Sequence, residues 1–395
     1  TGCNCGSSKV LAPPLPPLSA VQLTPATDTL VVGQTRQFVA TALDTDSVAV
    51  AGAAFEWTSR DPNVFTVSSS GLVTAVGEGV DSLFVAAAGK ADTAIVAVVV
   101  QNGWYTQTSG TINTLNGVCF LPDGRSGWAV GDAGTIVNTT TAGASWGVRP
   151  SGSTFNLNGV WFTTDVTGFV VGHGGTVLRT RNAGASWTRL ATVPSSDNLF
   201  GVMFADTSHG WVVGSNGTLL RTADAGQTWS RANPTALQLN SVSFSDTTNG
   251  WAVGEGGVIV GTRDGGRSWY VVQPSLTAQS LRAVWRAADT SAVAVGAQGA
   301  NPFTRATADS LRWNLGSLGP ANDMESVQIV GLRVGYGVGS DGLGLVLKSF
   351  DGGVTWSPQV SNTAQRLRDV WFVDELRGWA VGAAGRILHT SKGGL

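Results

Sequence analysis

From about residue 103 onward, apolar residues fall in short runs of about four to six, separated by clusters of Gly, Asn, Asp, Ser and Thr. Val, Ile, Phe and Trp dominate these runs, and none is long enough to form an amphipathic helix. Gly127-Trp-Ala-Val-Gly131 and Gly250-Trp-Ala-Val-Gly254 are typical examples. Runs of this length and composition between turn-forming residues predict short β-strands in up-and-down order.

Tryptophan marks a repeat within this pattern. Seven tryptophans follow one another at intervals of 40 to 44 residues: Trp104, Trp146, Trp187, Trp229, Trp269, Trp313 and Trp356. Three apolar runs, together with the segment after each tryptophan, give four strands per interval, which is the content of one β-propeller blade. Helical solenoids have similar periods but require a helical spacing of apolar residues that this chain does not show.

The two ends of the repeat array are complementary. The last repeat starts at Leu367 and reaches Leu395 without a tryptophan of its own, whereas no repeat precedes Trp104. The segment around Trp104 is therefore predicted to supply the outer strand of the last blade, which closes the ring and leaves no unpaired sheet edge. The sequence thus predicts a seven-bladed propeller over residues 103–395.

A turn motif, Ser/Thr-x-Asp-x-Gly-x-Thr/Ser-Trp, precedes several of these tryptophans. Its Asp and Trp positions are Asp224 with Trp229, Asp264 with Trp269, and Asp351 with Trp356. The motif resembles the Asp-box hairpin of sialidases and sortilin-type receptors, in which Asp bonds its own turn and Trp packs between blades. Blade 1 has Thr141 at the Asp position, so a weaker turn is expected there. One Asp per blade on the outer rim favours a structural role over paired catalytic carboxylates or metal ligands.

Composition narrows the possible functions. Charged residues make up only 13% of the chain and the formal net charge is −2, which argues against nucleic-acid binding. No apolar run reaches the 18 residues of a membrane-spanning helix. Cys119 lies in an apolar run and is interpreted as a buried small hydrophobe. The three histidines fall on separate blades, so neither a zinc site nor any other metal or cofactor is expected.

Residues 21–101 have the alternating strands and turns of a small β-sandwich. Val32-Gly-Gln34, Trp57-Thr-Ser-Arg-Asp-Pro-Asn-Val64 and Gly71-Leu-Val-Thr-Ala-Val-Gly77 resemble the bacterial Ig-like domain of the Big2 type. The resemblance implies a spacer or presenting module of a bacterial surface protein, with Trp57 as its core aromatic.

Residues 1–20 are predicted to form a Pro-rich tether. Thr1-Gly-Cys3 resembles the end of a lipobox, which implies acylation of Cys3 and attachment to a membrane surface. An unmodified tail and a Cys3–Cys5 redox pair remain alternatives.

The propeller repeat resembles the photosystem II assembly and stability factors of plants and cyanobacteria. The shared signature is Gly-Trp-Ala-Val-Gly-x-x-Gly-x-Ile/Val before an Asp-box, and it begins at Gly127, Gly250 and Gly378. The resemblance implies a non-catalytic, extracytoplasmic protein that binds membrane photosynthetic subunits. With the Ig-like domain and Cys3, it implies an accessory subunit docked on a membrane complex such as a photosynthetic reaction centre with its antenna. The alternatives are a surface adhesin or glycan-binding propeller and, less favoured, a glycoside hydrolase.

The repeat also predicts where a partner binds. The residue after the first Leu of each unit has one register near the inner end of its blade, so these residues are expected to converge on the axis. They include Asn116, Asn158, Asn240, Arg282 and Arg368, accompanied by Phe200 and Glu325 and flanked by Arg286 and Arg366. We expect a polar, partly basic mouth, with ordinary solvated loops as the alternative. The strand residues Trp161, Trp285 and Trp371 share one register and are expected to be buried.

Overall fold

The computed structural model describes residues 16–99, 103–287, 291–307, 310–318 and 322–394. The predicted lipidation site Cys3 and most of the Pro-rich segment 1–20 lie outside these residues. The chain forms two compact units that divide between residues 101 and 102. Within the described ranges, no helix has the length and apolar character needed to cross a membrane.

The N-terminal unit consists of nine short strands whose alternate residues face one core. The strands are β1 (Ala20–Thr24), β2 (Thr27–Val31), β3 (Thr35–Gln37), β4 (Val39–Leu43), β5 (Glu56–Ser59), β6 (Phe65–Val67), β7 (Leu72–Ala75), β8 (Gly79–Ala87) and β9 (Lys90–Val99). They form sheets with the orders β1-β4, β2-β9-β8-β5 and β3-β7-β6. The Ig-like sandwich predicted from the sequence is confirmed.

The core of this unit is centred on Phe38, Phe65 and Leu83, which are fully buried. Trp57 is only half-buried and packs against the border of the core, so its predicted place as the core aromatic is wrong. It lies on the edge strand β5, where its ring covers Gly71 so closely that a Cβ there would come within 2.6 Å of Cζ2.

The C-terminal unit consists of seven four-stranded antiparallel sheets arranged as blades. Blades 1 to 3 contain β11 (Leu115–Phe120), β12 (Gly127–Gly131), β13 (Ile136–Thr139), β14 (Gly147–Arg149), β15 (Leu157–Phe162), β16 (Gly168–Gly172), β17 (Thr176–Thr180), β18 (Thr188–Arg189), β19 (Leu199–Phe204), β20 (Gly210–Gly214), β21 (Leu219–Thr222) and β22 (Ser230–Ala232).

Blades 4 to 6 follow the same order. They contain β23 (Leu239–Phe244), β24 (Gly250–Gly254), β25 (Ile259–Thr262), β26 (Tyr270–Val271), β27 (Leu281–Arg286), β28 (Ala292–Gly296), β29 (Ala300–Thr307), β30 (Ser310–Ser317), β31 (Asp323–Val330), β32 (Val334–Ser340), β33 (Gly344–Ser349) and β34 (Ser357–Gln359). Short 3-10 turns join second and third strands at Asp132–Gly134, Ser215–Gly217, Glu255–Gly257, Ala297–Gly299 and Ala383–Gly385.

Blade 7 closes the ring with strands from both ends of the unit. It contains β35 (Leu367–Phe372), β36 (Gly378–Gly382), β37 (Ile387–Thr390) and, as its outer strand, β10 (Tyr105–Gln107). Trp104 is buried, packs edge-on against Phe372 at 5.7 Å, and donates its Nε1–H to Gln359 at 3.0 Å. The predicted seven-bladed propeller with a shared last blade is confirmed.

Stacked aromatic rings hold successive blades together. At five of the seven junctions, an aromatic residue on the second strand of one blade lies flat on the phenylalanine that ends the first strand of the next. The stacked pairs are Trp128–Phe162 and Trp211–Phe244, both with centroids 3.5 Å apart, Tyr336–Phe372 and Trp379–Phe120, both at 3.6 Å, and Phe169–Phe204 at 4.4 Å. Each such pair contributes about 0.5–1.5 kcal/mol beyond the apolar area that it buries.

The same phenylalanine explains the glycine that opens each Gly-Trp-Ala-Val-Gly run. Phe120 lies directly opposite Gly127 in the strand register. A Cβ on Gly127 would collide with the Phe120 ring, so only a bare backbone lets the ring lie flat between blades. The equivalent positions have the same contact: Gly168, Gly210, Gly250 and Gly378.

The first strands approach one another closely around the axis. A Cβ on Gly117 would lie 2.8 Å from the carbonyl oxygen of Asn158 on the next blade. At the same register in blade 7, Asp369 accepts hydrogen bonds from Val118 N–H of blade 1 (2.9 Å) and Ser326 Oγ of blade 6 (2.6 Å). Burial raises the pKa of Asp369 to about 6, although hydrogen bonds to its ionised form oppose the shift. One carboxyl group thus joins three blades at the ring closure.

The first prediction concerns ring closure. Removal of residues 1–110 is expected to lower the melting temperature of the propeller by on the order of 10 °C relative to removal of residues 1–101. Only the longer deletion removes β10 and Trp104, and loss of a buried Trp side chain alone costs about 3–5 kcal/mol. Differential scanning calorimetry of the two truncated proteins measures the difference. Equal melting temperatures would show that β10 does not stabilise the ring.

The second prediction concerns the pH dependence of stability. The folded-state pKa of Asp369 is raised from 3.8 to about 6. The stabilisation that the protonated Asp369 carboxyl group gives to the folded state is therefore fully present below pH 3.8 and is lost as pH rises through 6. The unfolding free energy of the wild type minus that of Asp369→Asn should therefore fall by roughly 2–3 kcal/mol between pH 4 and pH 7. Urea unfolding at several pH values measures this difference.

The control for this prediction is Asp224→Asn. Hydrogen bonds lower the pKa of Asp224 to about 2, so its difference from the wild type should stay constant from pH 4 to pH 7. A constant difference in unfolding free energy between the wild type and Asp369→Asn over the same pH range would contradict the raised pKa of Asp369.

Candidate binding site in the propeller channel

The first strands of all seven blades enclose a channel along the propeller axis. It has a volume of about 730 Å³ and opens where these strands begin. Each first strand has an irregularity in its register at its second residue, where one extra residue is inserted opposite the second strand. Such a bulge redirects the side chain of the inserted residue. The inserted residues form the mouth of the channel: Asn116, Asn158, Phe200, Asn240, Arg282, Glu325 and Arg368.

The three mouth asparagines connect adjacent blades. Asn158 Nδ2 donates to the carbonyl of Leu199 at 2.7 Å, and Asn240 Nδ2 to that of Leu281 at 2.7 Å. Asn116 makes the equivalent bond to Leu157 at 3.1 Å and a second one to Asp132 at 3.0 Å. Each of these amides therefore donates at least one hydrogen bond to the next blade, and Asn116 uses both of its N–H groups.

Blades 5 to 7 place three arginines around one carboxylate. Arg282 donates to Glu325 at 2.7 Å and to Asp323 at 3.2 Å. Arg366 also pairs with Glu325, and Arg368 Nη1 lies 3.7 Å from it. We call these five residues the arginine cluster.

The arginine cluster has more cationic than anionic groups. Burial, followed by repulsion from the Arg282 guanidinium, lowers the pKa of both Arg366 and Arg368. The Nε of Arg366 is buried without a hydrogen-bond partner. Arg368 has the most exposed side chain, at 41%. The exposed guanidinium of Arg368 and the excess of cationic groups leave donors and a local positive charge available to an anion.

The mouth as a whole is not basic. Its three arginines stand beside Asp132, Glu255, Asp323 and Glu325, so the excess of positive charge is confined to blades 5–7. The sequence analysis identified the arginines but not Glu325 as their common partner, because the pairing depends on three different blades.

Arg286 does not lie at the mouth. It ends β27 at the opposite end of the channel, where five of the other blades have the stacked phenylalanine, and it is buried. Its Nε donates to Ser245 Oγ of blade 4 at 2.6 Å. Arg286 therefore replaces an inter-blade ring contact, and its predicted place beside Arg282 is wrong.

Three tryptophans line the deep part of the channel. Trp161 and Trp285 each meet Trp371 edge-on, with centroids 5.3 and 6.4 Å apart and interplanar angles of 76° and 87°. All three are half-buried and line the cavity, so the expectation of full burial is wrong. Their strands are the inner edges of the blades, where a large side chain can turn toward the axis instead of into a blade interface. We call these residues the tryptophan floor.

The Asp-box turns lie at the opposite end of the blades from the mouth. Asp224 accepts hydrogen bonds from Thr228 N–H at 2.9 Å and Thr228 Oγ1 at 2.6 Å. Asp264 and Asp351 make the same bonds, and Trp229, Trp269 and Trp356 each pack against a blade core. In blade 1 the Thr141 hydroxyl replaces the carboxylate and accepts from Ser145 N–H at 3.1 Å.

A second set of aspartate turns joins the first and second strands, and the sequence analysis missed it. Each Asp accepts hydrogen bonds from the N–H groups two and three residues later. The set comprises Asp123, Asp206, Asp246 and Asp374. A sequence signal does exist, since each Asp lies four residues before the glycine that opens the second strand. In the described parts of the chain, His, Cys, Asp and Glu do not form a group that could hold a metal ion.

Comparison with solved structures places this fold among propellers of different functions. A structure described as YCF48 bound to D1 peptide is 21% identical, with a TM-score of 0.63 over 74% of this chain and 96% of that chain. YCF48 from Cyanidioschyzon merolae is 21% identical, with a TM-score of 0.60 over 73% and 98%. A catalytically inactive virginiamycin B lyase from Staphylococcus aureus, solved with quinupristin, is 8% identical, with a TM-score of 0.63 over 74% and 99%. No match is found among curated proteins.

Family models match both units of the chain. The bacterial Ig-like domain (group 2) model matches residues 17–81. The model of the photosynthesis system II assembly factor YCF48 matches residues 96–195 and 190–300, which together span 205 of the 395 residues. The chain therefore belongs to the family of the photosynthesis system II assembly factor YCF48.

Proposed function

We propose that this protein is an assembly or accessory factor that binds an acidic segment of a membrane protein complex at the arginine cluster. The observation that carries this proposal is the grouping of Arg282, Arg366 and Arg368 around Glu325, with the Arg368 side chain 41% exposed at the mouth. Arginine donors held in a fixed geometry suit recognition of carboxylates, and their partial burial strengthens each bond.

The family and one structural neighbour support a membrane protein as the source of that segment. The family model is described as a photosystem II assembly factor, and the neighbour is described as bound to a D1 peptide. We infer that the corresponding partner here is a reaction-centre subunit. The segment would lie across blades 5–7, because the three arginines of the mouth are grouped on blades 5 and 7 around Glu325 of blade 6.

We propose that the role is not enzymatic. A catalytic carboxyl group with a perturbed pKa is the usual sign of an active site, and Asp369 has such a pKa within the channel. The Asp369 oxygens, however, accept hydrogen bonds from three groups, two of them on neighbouring blades. A role in holding the blades together is therefore enough to explain why a carboxyl group lies there. Glu325 is likewise occupied by its arginines.

We further propose an extracytoplasmic location, with acylated Cys3 as membrane anchor and the Ig-like unit as spacer. The lipobox-like Thr1-Gly-Cys3 and the Pro-rich residues that follow support this assignment. A permanent anchor favours a resident accessory subunit over a factor that leaves after assembly.

The third prediction tests the arginine cluster. Arg368→Ala is expected to weaken binding of a D1 peptide about tenfold or more, because a charge-assisted hydrogen bond contributes about 1.5–3 kcal/mol. Binding should also weaken with increasing salt, since the contact is ionic. Isothermal titration calorimetry on the full chain measures both effects.

Arg267→Ala is the matched control, because Arg267 lies in the Asp-box loop at the other end of blade 4 and donates there to the Asp264 carbonyl of its own turn. Its affinity for the peptide should equal that of the wild type. Equal affinities for Arg368→Ala and the wild type would place the peptide elsewhere, and absence of peptide binding by the wild type would refute the proposed function.

The fourth prediction tests the anchor. Mass spectrometry of the protein isolated from native membranes should detect an acylated cysteine corresponding to Cys3 at the mature N-terminus. Replacement of Cys3 by Ser should move the protein from the membrane fraction to the soluble fraction. A mature protein that retains an unmodified residue 1 would exclude the lipoprotein.

A further inference from the structure

The tryptophan floor is a feature that an acidic-segment binding site does not require. Trp161, Trp285 and Trp371 come from blades 2, 5 and 7, and each leaves part of its ring exposed to the channel. The other blades have smaller or more flexible side chains at this register: Cys119, Met203, Ser243 and Gln328. Because the rings stand nearly perpendicular to Trp371, they form walls around a space instead of one flat stack.

A carboxylate lies on the same wall of the channel. Asp369 and Trp371 are two residues apart on β35, so their side chains point to the same side of the strand about 7 Å apart along it. Asp369 also lines the channel and is half-buried. Its fixed position follows from its hydrogen bonds to blades 1 and 6.

The arginine cluster lies at the mouth of the channel, and the tryptophan floor lies deeper along the axis. Arg368 and Trp371 lie three residues apart on the same strand, which is about 10 Å in an extended chain. Arg282 and Arg366 pair with Glu325 and Asp323 at the mouth, whereas the floor consists of aromatic rings with one carboxylate beside them.

We propose that the tryptophan floor and Asp369 form a binding site for an ammonium group, either a quaternary amine or the side chain of a lysine. The faces of tryptophan rings attract cations, and rings set at right angles around a cavity surround such a group on several sides. Asp369 supplies the opposite charge, and partial burial of both strengthens the attraction. A purely apolar group would use the rings but would leave the carboxylate without a counter-charge.

This site is independent of the proposed function at the mouth. It uses none of the residues of the arginine cluster and makes no assumption about a photosynthetic partner. If the D1 peptide does not bind, the hypothesis of an ammonium site at the tryptophan floor is unaffected. If no amine binds at the floor, the hypothesis of a peptide site at the arginine cluster is likewise unaffected.

The test compares a cation with its neutral isostere on the full chain at pH 7.5 and constant ionic strength. Choline should bind saturably with one site per chain in calorimetric titrations, and 3,3-dimethyl-1-butanol, which has the same shape without the charge, should bind at least about tenfold more weakly. N-acetyl-lysine methylamide probes a peptide source of the same group, and tighter binding of one of the two amines identifies that source.

Two variants locate the site. Asp369→Asn and Trp371→Leu should each weaken amine binding about tenfold or more, whereas Trp146→Phe, which alters an Asp-box tryptophan outside the channel, should bind as the wild type does. Thermal melts establish that each variant is folded, and Asp369→Asn keeps the shape of the side chain.

Three results would overturn the proposal. They are equal binding of the neutral isostere, unchanged amine binding by folded Asp369→Asn, and failure of both amines to bind the wild type. Equal binding of the isostere would show that the floor is an apolar pocket. If neither amine binds, the three tryptophans only fill space in the channel.

Discussion

The propeller depends on one contact, the flat stacking of a second-strand aromatic ring on the phenylalanine of the next blade. The ring can lie flat only because glycine stands opposite that phenylalanine in the strand register, as Gly127 stands opposite Phe120. The contact joins neighbouring sheets that share no backbone ladder, so side-chain packing carries much of their cohesion. At the last junction it is supported by Trp104, which contacts Phe372 from the start of the propeller unit. The ring is therefore closed by the same chemistry that joins blades 1 to 4.

Blade 5 shows what happens where this contact is replaced. Val293 and Arg286 occupy positions that are aromatic in most other blades, and the junction with blade 4 instead uses the guanidinium of Arg286 bonded to Ser245. A buried cation needs such partners, because desolvation alone would make it costly. The third and fourth strands, β29 and β30, extend over eight residues each, in contrast to β13 and β14, which have four and three. The irregular blade thus compensates for the missing ring with polar contacts.

The repeat made the architecture predictable from the sequence, because period, strand number and closure all depend on local patterns that recur. The placement of single side chains was less predictable. Arg282 and Arg286 lie four residues apart on one strand, yet the bulge brings Arg282 to the mouth while Arg286 points into a blade junction. Glu325 could be placed at the mouth by register, but its three arginine partners come from two other blades. Such pairings are contacts between repeats, and periodicity within one repeat does not specify them.

Differences between the blades indicate where the ring has been adapted beyond its structural need. Where a position serves packing, most blades agree: five of them have glycine facing the stacked phenylalanine, whereas blade 5 has Ala292 facing Arg286. The second position of the first strand instead holds Asn, Phe, Arg or Glu, and the fifth holds residues as different as Cys119 and Trp161. Asp369 serves packing and also lies among the variable positions, because its carboxyl group joins blades and the residue lines the channel. A ring whose cohesion rests on stacks between the sheets leaves the inner edges of the first strands free to vary. The axis is therefore where one fold can acquire a charged mouth and an aromatic floor without loss of its blades.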